Sequence, residues 1–218
     1  MHWKLPQSRP FGWTMKTLDS AQTSFTISDD QVYHLHIDHD LIRGVTPAML
    51  DWWFRHIGDM MLYKGQVYPA YQVWHPIDHI HWALDRPAPD GYVGVGARFR
   101  IVEAFGGNME YLIDSTEEVV KLDTTGIRLV RRMLGVEVFS LEHQFIAVAD
   151  GTQYISDMVV GTNHPLGRYV FNRLFRPWIF TPAMGPAWLK HNIEEVGNFE
   201  YFLPELYHKR NPIALAVY

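Results

Sequence analysis

Hydrophobic and polar positions follow three successive patterns along the chain, and each predicts a different kind of element. Over residues 31–37, Val32, His34 and His36 alternate with Tyr33, Leu35 and Ile37, the two-residue repeat of a strand. Thr46 followed by Pro47 then marks a helix start, with Met49, Leu50, Trp53, Phe54 and Ile57 on one helical face. Between about residues 92 and 160 the period returns to two: Val93, Val95, Ala97, Phe99 and Ile101 alternate with Gly94, Gly96, Arg98 and Arg100. Residues 109–113, 127–133, 136–148 and 152–160 continue as strands, with turn signals at Asp123 to Gly126 and at Asp150 and Gly151. The pattern becomes helical again at the end, where Trp188, Leu189, Ile193, Val196, Phe199 and Phe202 recur until Pro204, with Pro186 near the start.

Consecutive strands joined by short turns make an antiparallel sheet. Followed by one long helix, they predict an α+β fold with that helix lying across a curved sheet. Residues 1–30 are rich in Pro, Ser, Thr and Asp without a sustained period. The chain is therefore divided into an N-terminal extension, 1–40, packed on a main domain, 41–218. Gly94 and Gly96 are no dinucleotide fingerprint, because no helical pattern follows and the third glycine is missing.

Composition narrows the functional classes. A net charge of -5 argues against nucleic acid and anionic membrane as partners, since both call for a basic face. The chain has no cysteine, so any metal must be held by nitrogen and oxygen. The first ten residues show no apolar signal core and no later stretch approaches 18 apolar residues, which leads to the expectation of a cytoplasmic protein. The 12 histidines and the 8 Trp, 11 Tyr and 12 Phe suit a cavity for a flat ring, or else simply an aromatic core.

Two stretches carry candidate chemistry. His191 and Glu195, four residues apart on the predicted helix, project from one face beside its apolar stripe, while Glu194 turns toward solvent. Far upstream, His75, Asp78 and His79 crowd around Pro76, which prevents an ordinary helix interior. A metal would need further ligands, and the sheet offers Glu103 and Glu110. Glu110 stands among Met109, Tyr111, Leu112 and Ile113 with no basic neighbour. A mixed His and Glu set suits zinc, and manganese, iron and nickel are also compatible.

Taken together, Thr46 to Phe54, Tyr71 with Trp74 to His79, and the closing His191 and Glu195 resemble the diacetylphloroglucinol hydrolase family, which includes phloretin hydrolase. The resemblance spans about residues 40–205. It implies a helix-grip fold of the Bet v 1-like type and a zinc ion, Zn2+, held by two His and two Glu. It also implies hydrolysis of the carbon-carbon bond between an acyl group and a polyhydroxylated aromatic ring. On this resemblance the ligands are His79, His191, Glu195 and a sheet carboxylate, with Glu110 favoured over Glu103 by its distance from His79. Tyr71 matches a tyrosine that contacts a phenolic hydroxyl. A substrate-binding histidine falls to His143 or His164, with His143 preferred, and Trp82 stands in place of a small polar contact.

The expected partner is a small acylated phenol, and self-association as a homodimer is left open. A rival class is a non-catalytic helix-grip protein whose aromatic cavity carries a hydrophobic ligand. Bound metal discriminates between the two.

Overall fold

The computed structural model describes residues 2–7, 9 and 11–209. Its centre is an antiparallel nine-stranded sheet whose path runs β1 (Gln22–Ile27), β2 (Tyr33–Asp38), β11 (Gly151–Val160), β10 (Val136–Val148), β9 (Gly126–Met133), β8 (Leu112–Asp123), β7 (Arg98–Ala104) and β6 (His79–Arg86). β3 (Ile42–Arg43) adds a short pairing to β11, and β4 (Met60–Tyr63) with β5 (Gln66–Pro69) forms a separate hairpin. Among the described residues the α-helices are α1 (Pro47–His56), α2 (Ala70–Trp74), α3 (Pro165–Val170), α4 (Arg176–Ile179) and the long α5 (Met184–Lys209). A curved antiparallel sheet grips α5, so the helix-grip α+β expectation holds. Among the described residues no helix is long and apolar enough to cross a membrane.

Local sequence explains most boundaries. The Thr46 side chain accepts the Met49 N–H at 3.3 Å and Pro47 opens α1, which presents Leu50, Trp53 and Phe54 to the core. Trp53 meets Phe199 and Phe202 of α5 edge to face, a geometry that adds to the apolar burial. Toward its start α5 packs Met184, Trp188, Leu189 and Ile193 against Leu35 and Ile37 of β2 and Met158 of β11. Trp74 Nε1–H donates to the Glu195 carbonyl at 2.8 Å and Asn198 Nδ2–H to the Trp74 carbonyl at 2.9 Å, which fixes α2 against α5.

Several sequence expectations need correction. Residues 22–27 and 33–38 are strands of the main sheet, paired with each other and, through β2, with β11, so the division at residue 40 is not a structural boundary. The strand expected from Val93 begins only at Arg98, because Gly91 and Gly96 adopt positive φ (89° and 93°) and turn the chain there. Residues 109–111 form a short 3-10 turn instead of a strand. α5 runs through Pro204 to Lys209: proline forfeits a helical hydrogen bond, but Phe202 and Leu203 are buried in the core on that last stretch.

Candidate metal centre

The upstream stretch folds as one helical turn followed by a strand. α2 stops ahead of Pro76, and β6 starts at His79, whose N–H bonds back to the His75 carbonyl at 3.2 Å. His79 Nδ1 donates to the Tyr71 carbonyl at 2.7 Å, and the Tyr71 ring stacks on the imidazole at 3.8 Å between centroids. This leaves His79 Nε2, fully buried and without a hydrogen-bond partner, as a lone pair facing inward. Antiparallel register sets Glu103 of β7 directly opposite His79. From the other side, α5 delivers His191 and Glu195 from successive turns.

His79, Glu103 and His191 gather within ligand distance of one another, and Glu195 adjoins both imidazoles. His79 Nε2 lies 3.2 Å from Glu195 Oε2 and 3.6 Å from Glu103 Oε2, and His191 Nε2 lies 3.5 Å from Glu103 Oε2 and 3.7 Å from Glu195 Oε2. A tetrahedral ion with ligand distances of about 2.0–2.1 Å separates its ligands by roughly 3.3–3.4 Å, so these spacings fit zinc.

The charges fit as well. Burial and the neighbouring Glu103 push the Glu195 carboxyl up to about 7. His191 moves the other way: burial alone would lower it, but Glu103, Glu195 and Asp78 hold it well above the ordinary imidazole range. Burial and His191 push His79 down to about 3. A buried cluster this rich in carboxylate needs a positive charge, which a proton on His191 or a dication can provide.

Behind the cluster, Asp78 acts as an anchor. Its Oδ2 accepts from His191 Nδ1–H and the Gly106 N–H, both at 2.8 Å, and its Oδ1 accepts from the Gly107 N–H at 2.8 Å. Gly106 and Gly107 are both left-handed (φ 66° and 64°), and successive left-handed residues aim their amides into one concavity. Burial would raise the Asp78 carboxyl, yet the hydrogen bond and charge of His191 hold it well below the usual carboxylate range. His75, Asp78 and His191 also lie close enough to suggest a second ligand trio. Asp78 already spends its oxygens on two amides and an imidazole, so the trio reads as the outer shell that orients His191. Glu194, expected in solvent, is buried, paired with Lys190 and 3.5 Å from His75 Nε2.

The cluster opens on an apolar cavity of about 60 Å³, walled by Phe54, Trp74, Leu141 and Trp188 and reached by Tyr71 and His143. The Tyr71 hydroxyl donates to Glu103 Oε2 at 2.8 Å. Burial, with the charge of Glu103, raises its pKa well above the ordinary phenol value, so it stays a donor. His143 Nδ1 and His39 Nε2 both bond Ser156 Oγ at 2.9 Å, and burial drops each imidazole to about 3, leaving both neutral.

His79, His191, Glu195, Tyr71 and His143 are brought together as expected, but the sheet carboxylate beside them is Glu103 and not Glu110. Glu110 is exposed in the 3-10 turn, where its N–H bonds the Asn108 side chain, and Glu103 is the carboxylate that stands opposite His79. The available signal was parity: Ala97, Phe99, Ile101 and Glu103 share one face of the strand pattern. His164 is exposed at the start of α3, away from the cavity. Trp82 is not among the residues that line this cavity and packs on Phe99 and over Gly58, where any Cβ would collide with its ring.

Fold and site together define a helix-grip protein with a buried His and Glu cluster beside an apolar cavity. No family model matches the chain, and no curated protein matches its sequence. Similar solved structures include Ara h 8.0201, with 12% identity and a TM-score of 0.46 over 80% of this chain and 99% of that one. Ginseng major latex-like protein 151 from Panax ginseng has 11% identity and a TM-score of 0.47 over 78% and 96%. A conserved protein of unknown function from Enterococcus faecalis has 8% identity and a TM-score of 0.43 over 87% and 90%.

Proposed function

We propose that the protein is a metal-dependent hydrolase of acylated, polyhydroxylated aromatic rings, cleaving the bond between ring and acyl carbon. The observation that carries this reading is the gathering of His79 and His191 with Glu103 and Glu195, at His-to-Glu spacings of 3.2–3.7 Å, beside an aromatic cavity. The resemblance to the diacetylphloroglucinol hydrolase family supports the reaction type. When bound, a divalent ion supplies polarisation of an acyl carbonyl and a more acidic water.

The overall change adds water across the aryl-acyl bond. Hydroxide joins the acyl carbon, the bonding pair passes to the ring carbon, and a proton joins that carbon, giving a carboxylic acid and the deacylated ring. Carbon is a poor leaving group, so a ring hydroxyl ortho to the acyl group is required: its keto tautomer absorbs the electron pair. The chain's own residues serve this need. Tyr71, a protonated donor, can exchange Glu103 for the phenolic oxygen, and neutral His143, fixed by Ser156, bonds a second oxygen. Walls such as Phe54 and Trp74 exclude bulk water, which strengthens these polar contacts.

Elemental analysis of purified protein is expected to find one divalent ion per chain. Acylphloroglucinols and phloretin should release their acids, while O-methylated analogues should not. Equal cleavage of the methylated compounds would defeat the tautomer argument. Protein without metal or turnover that still binds these compounds would be the non-catalytic carrier, a reading that the apolar cavity alone also supports. Tyr71→Phe should retain metal and lose roughly 10–1000-fold in turnover, provided its hydrogen bond strengthens in the transition state. An unchanged rate would remove Tyr71 from the mechanism.

A further inference from the structure

The cavity has a second lobe that the proposed reaction leaves unused. It has a volume of about 80 Å³ and shares Ile101, Glu103, Leu129, Leu141 and Trp188 with the lobe that holds Tyr71 and His143, so the two adjoin across these side chains. Its walls are aromatic and apolar, with Phe105, Phe139, Met158 and Phe180 around Trp188. One side differs. Ser115 and Glu117 of β8 reach this lobe from the inward-facing positions of their strand.

Glu117 is 4% exposed. Ser115 Oγ–H donates to its Oε1, while its Oε2 is buried and has no hydrogen-bond partner. Arg131 borders the same lobe and its charge acts on Glu117, but it makes no hydrogen bond to the free oxygen. A buried oxygen left without a donor costs about 1–3 kcal/mol, and an apolar residue would satisfy the core better. Burial also pushes the Glu117 carboxyl up to about 7. A carboxyl held at this cost on the wall of an apolar space calls for a donor from outside the chain.

We propose that the second lobe is a distal subsite in which Glu117 accepts a hydrogen bond from a hydroxyl on the ligand half that lies away from the metal cluster. The ligand is then two-headed: a polyhydroxylated ring beside Tyr71 and His143, an apolar chain across Trp188, and a hydroxylated aryl group ending at Glu117. The assignment of heads rests on the proposed hydrolase reading, but the subsite itself concerns binding alone.

The test uses probes that lack the acyl carbonyl and so cannot be hydrolysed. One joins a trihydroxyphenyl ring through a propane chain to a para-hydroxyphenyl ring; the other ends in an unsubstituted phenyl ring. Titration calorimetry on the full-length, metal-loaded protein is expected to show the hydroxylated probe binding about tenfold tighter, the value of one satisfied buried hydrogen bond. Glu117→Leu should erase that preference without weakening the phenyl probe. Glu117→Gln, which keeps an acceptor oxygen, should retain part of it. Thermal melts of both variants establish that they are folded. An unchanged preference in Glu117→Leu, or equal binding of both probes by wild type, overturns the subsite. A clear preference together with failure to hydrolyse any acylphenol would overturn the reaction and leave the subsite standing.

Discussion

Glu103→Gln is expected to abolish stoichiometric metal binding and measurable turnover, whereas Glu110→Gln should leave both unchanged. Glu103 Oε2 lies within 3.6 Å of both inward imidazole nitrogens, so in the proposed centre it would supply one of four donors and half of the ligand charge. A neutral amide is a much weaker donor to a dication. Its removal should cost more than the roughly 10–100-fold loss that follows from disturbing an outer-shell partner. The fold should survive, because the amide oxygen can still accept from Tyr71 and the change relieves repulsion with Glu195.

Thermal melts give an independent readout. A ligand present at 100 times its Kd stabilises the native state by about 2.7 kcal/mol, which for a chain of this size is roughly 5–10 °C. Wild type and Glu110→Gln should lose that increment on adding a chelator, and Glu103→Gln should show no chelator response. Wild-type metal affinity in Glu103→Gln would dismantle the four-ligand centre.

What the sequence disclosed and what it concealed divide along a physical line. Local signals were legible: Thr46 and Pro47 opened α1, the two-residue periods marked β9 to β11, and the apolar stripe of α5 placed His191 and Glu195 inward. Features set by partners distant in the chain were not. Glu103 reaches the cluster only through the β6 to β7 register opposite His79, and nothing within five residues of it announces that pairing. Glu110 looked isolated and therefore meaningful, yet a carboxylate without basic neighbours is equally at home in solvent. The alternation of β2 was legible, but β1 joins the sheet only by pairing with β2, which itself pairs with β11 more than 100 residues away, so its run of Ser and Thr resembled a loose lead-in. Asp78 was visible in its motif, but its partners Gly106 and Gly107 gave no sign of a left-handed pair.

Asp78→Ala is expected to damage both the fold and the metal centre, by separable routes. The carboxylate is buried and takes two backbone amides and His191 Nδ1, all at 2.8 Å. Truncation strands those three donors without water, and breaking a buried charged network in this way costs about 3–5 kcal/mol, a large share of a typical 5–15 kcal/mol total. The metal effect follows from orientation: without Asp78 the His191 ring loses the contact that fixes its Nε2 toward the cluster, so affinity should fall about 10–100-fold.

Chelator separates the two routes. The stability loss of Asp78→Ala should persist in metal-free protein, because the Gly106 and Gly107 amides are stranded with or without an ion. Acid supplies the sign. The folded Asp78 carboxyl sits below its unfolded value of about 3.9, so its contribution is complete above that pH and fades as the pH falls further. The gap between wild type and Asp78→Ala in chelator, read from urea denaturation, should therefore be constant from neutral pH to about pH 5 and narrow below pH 4. A gap that is absent in chelator would make Asp78 a servant of the metal alone. Unchanged metal affinity in a folded variant would show that His191 holds its orientation without it.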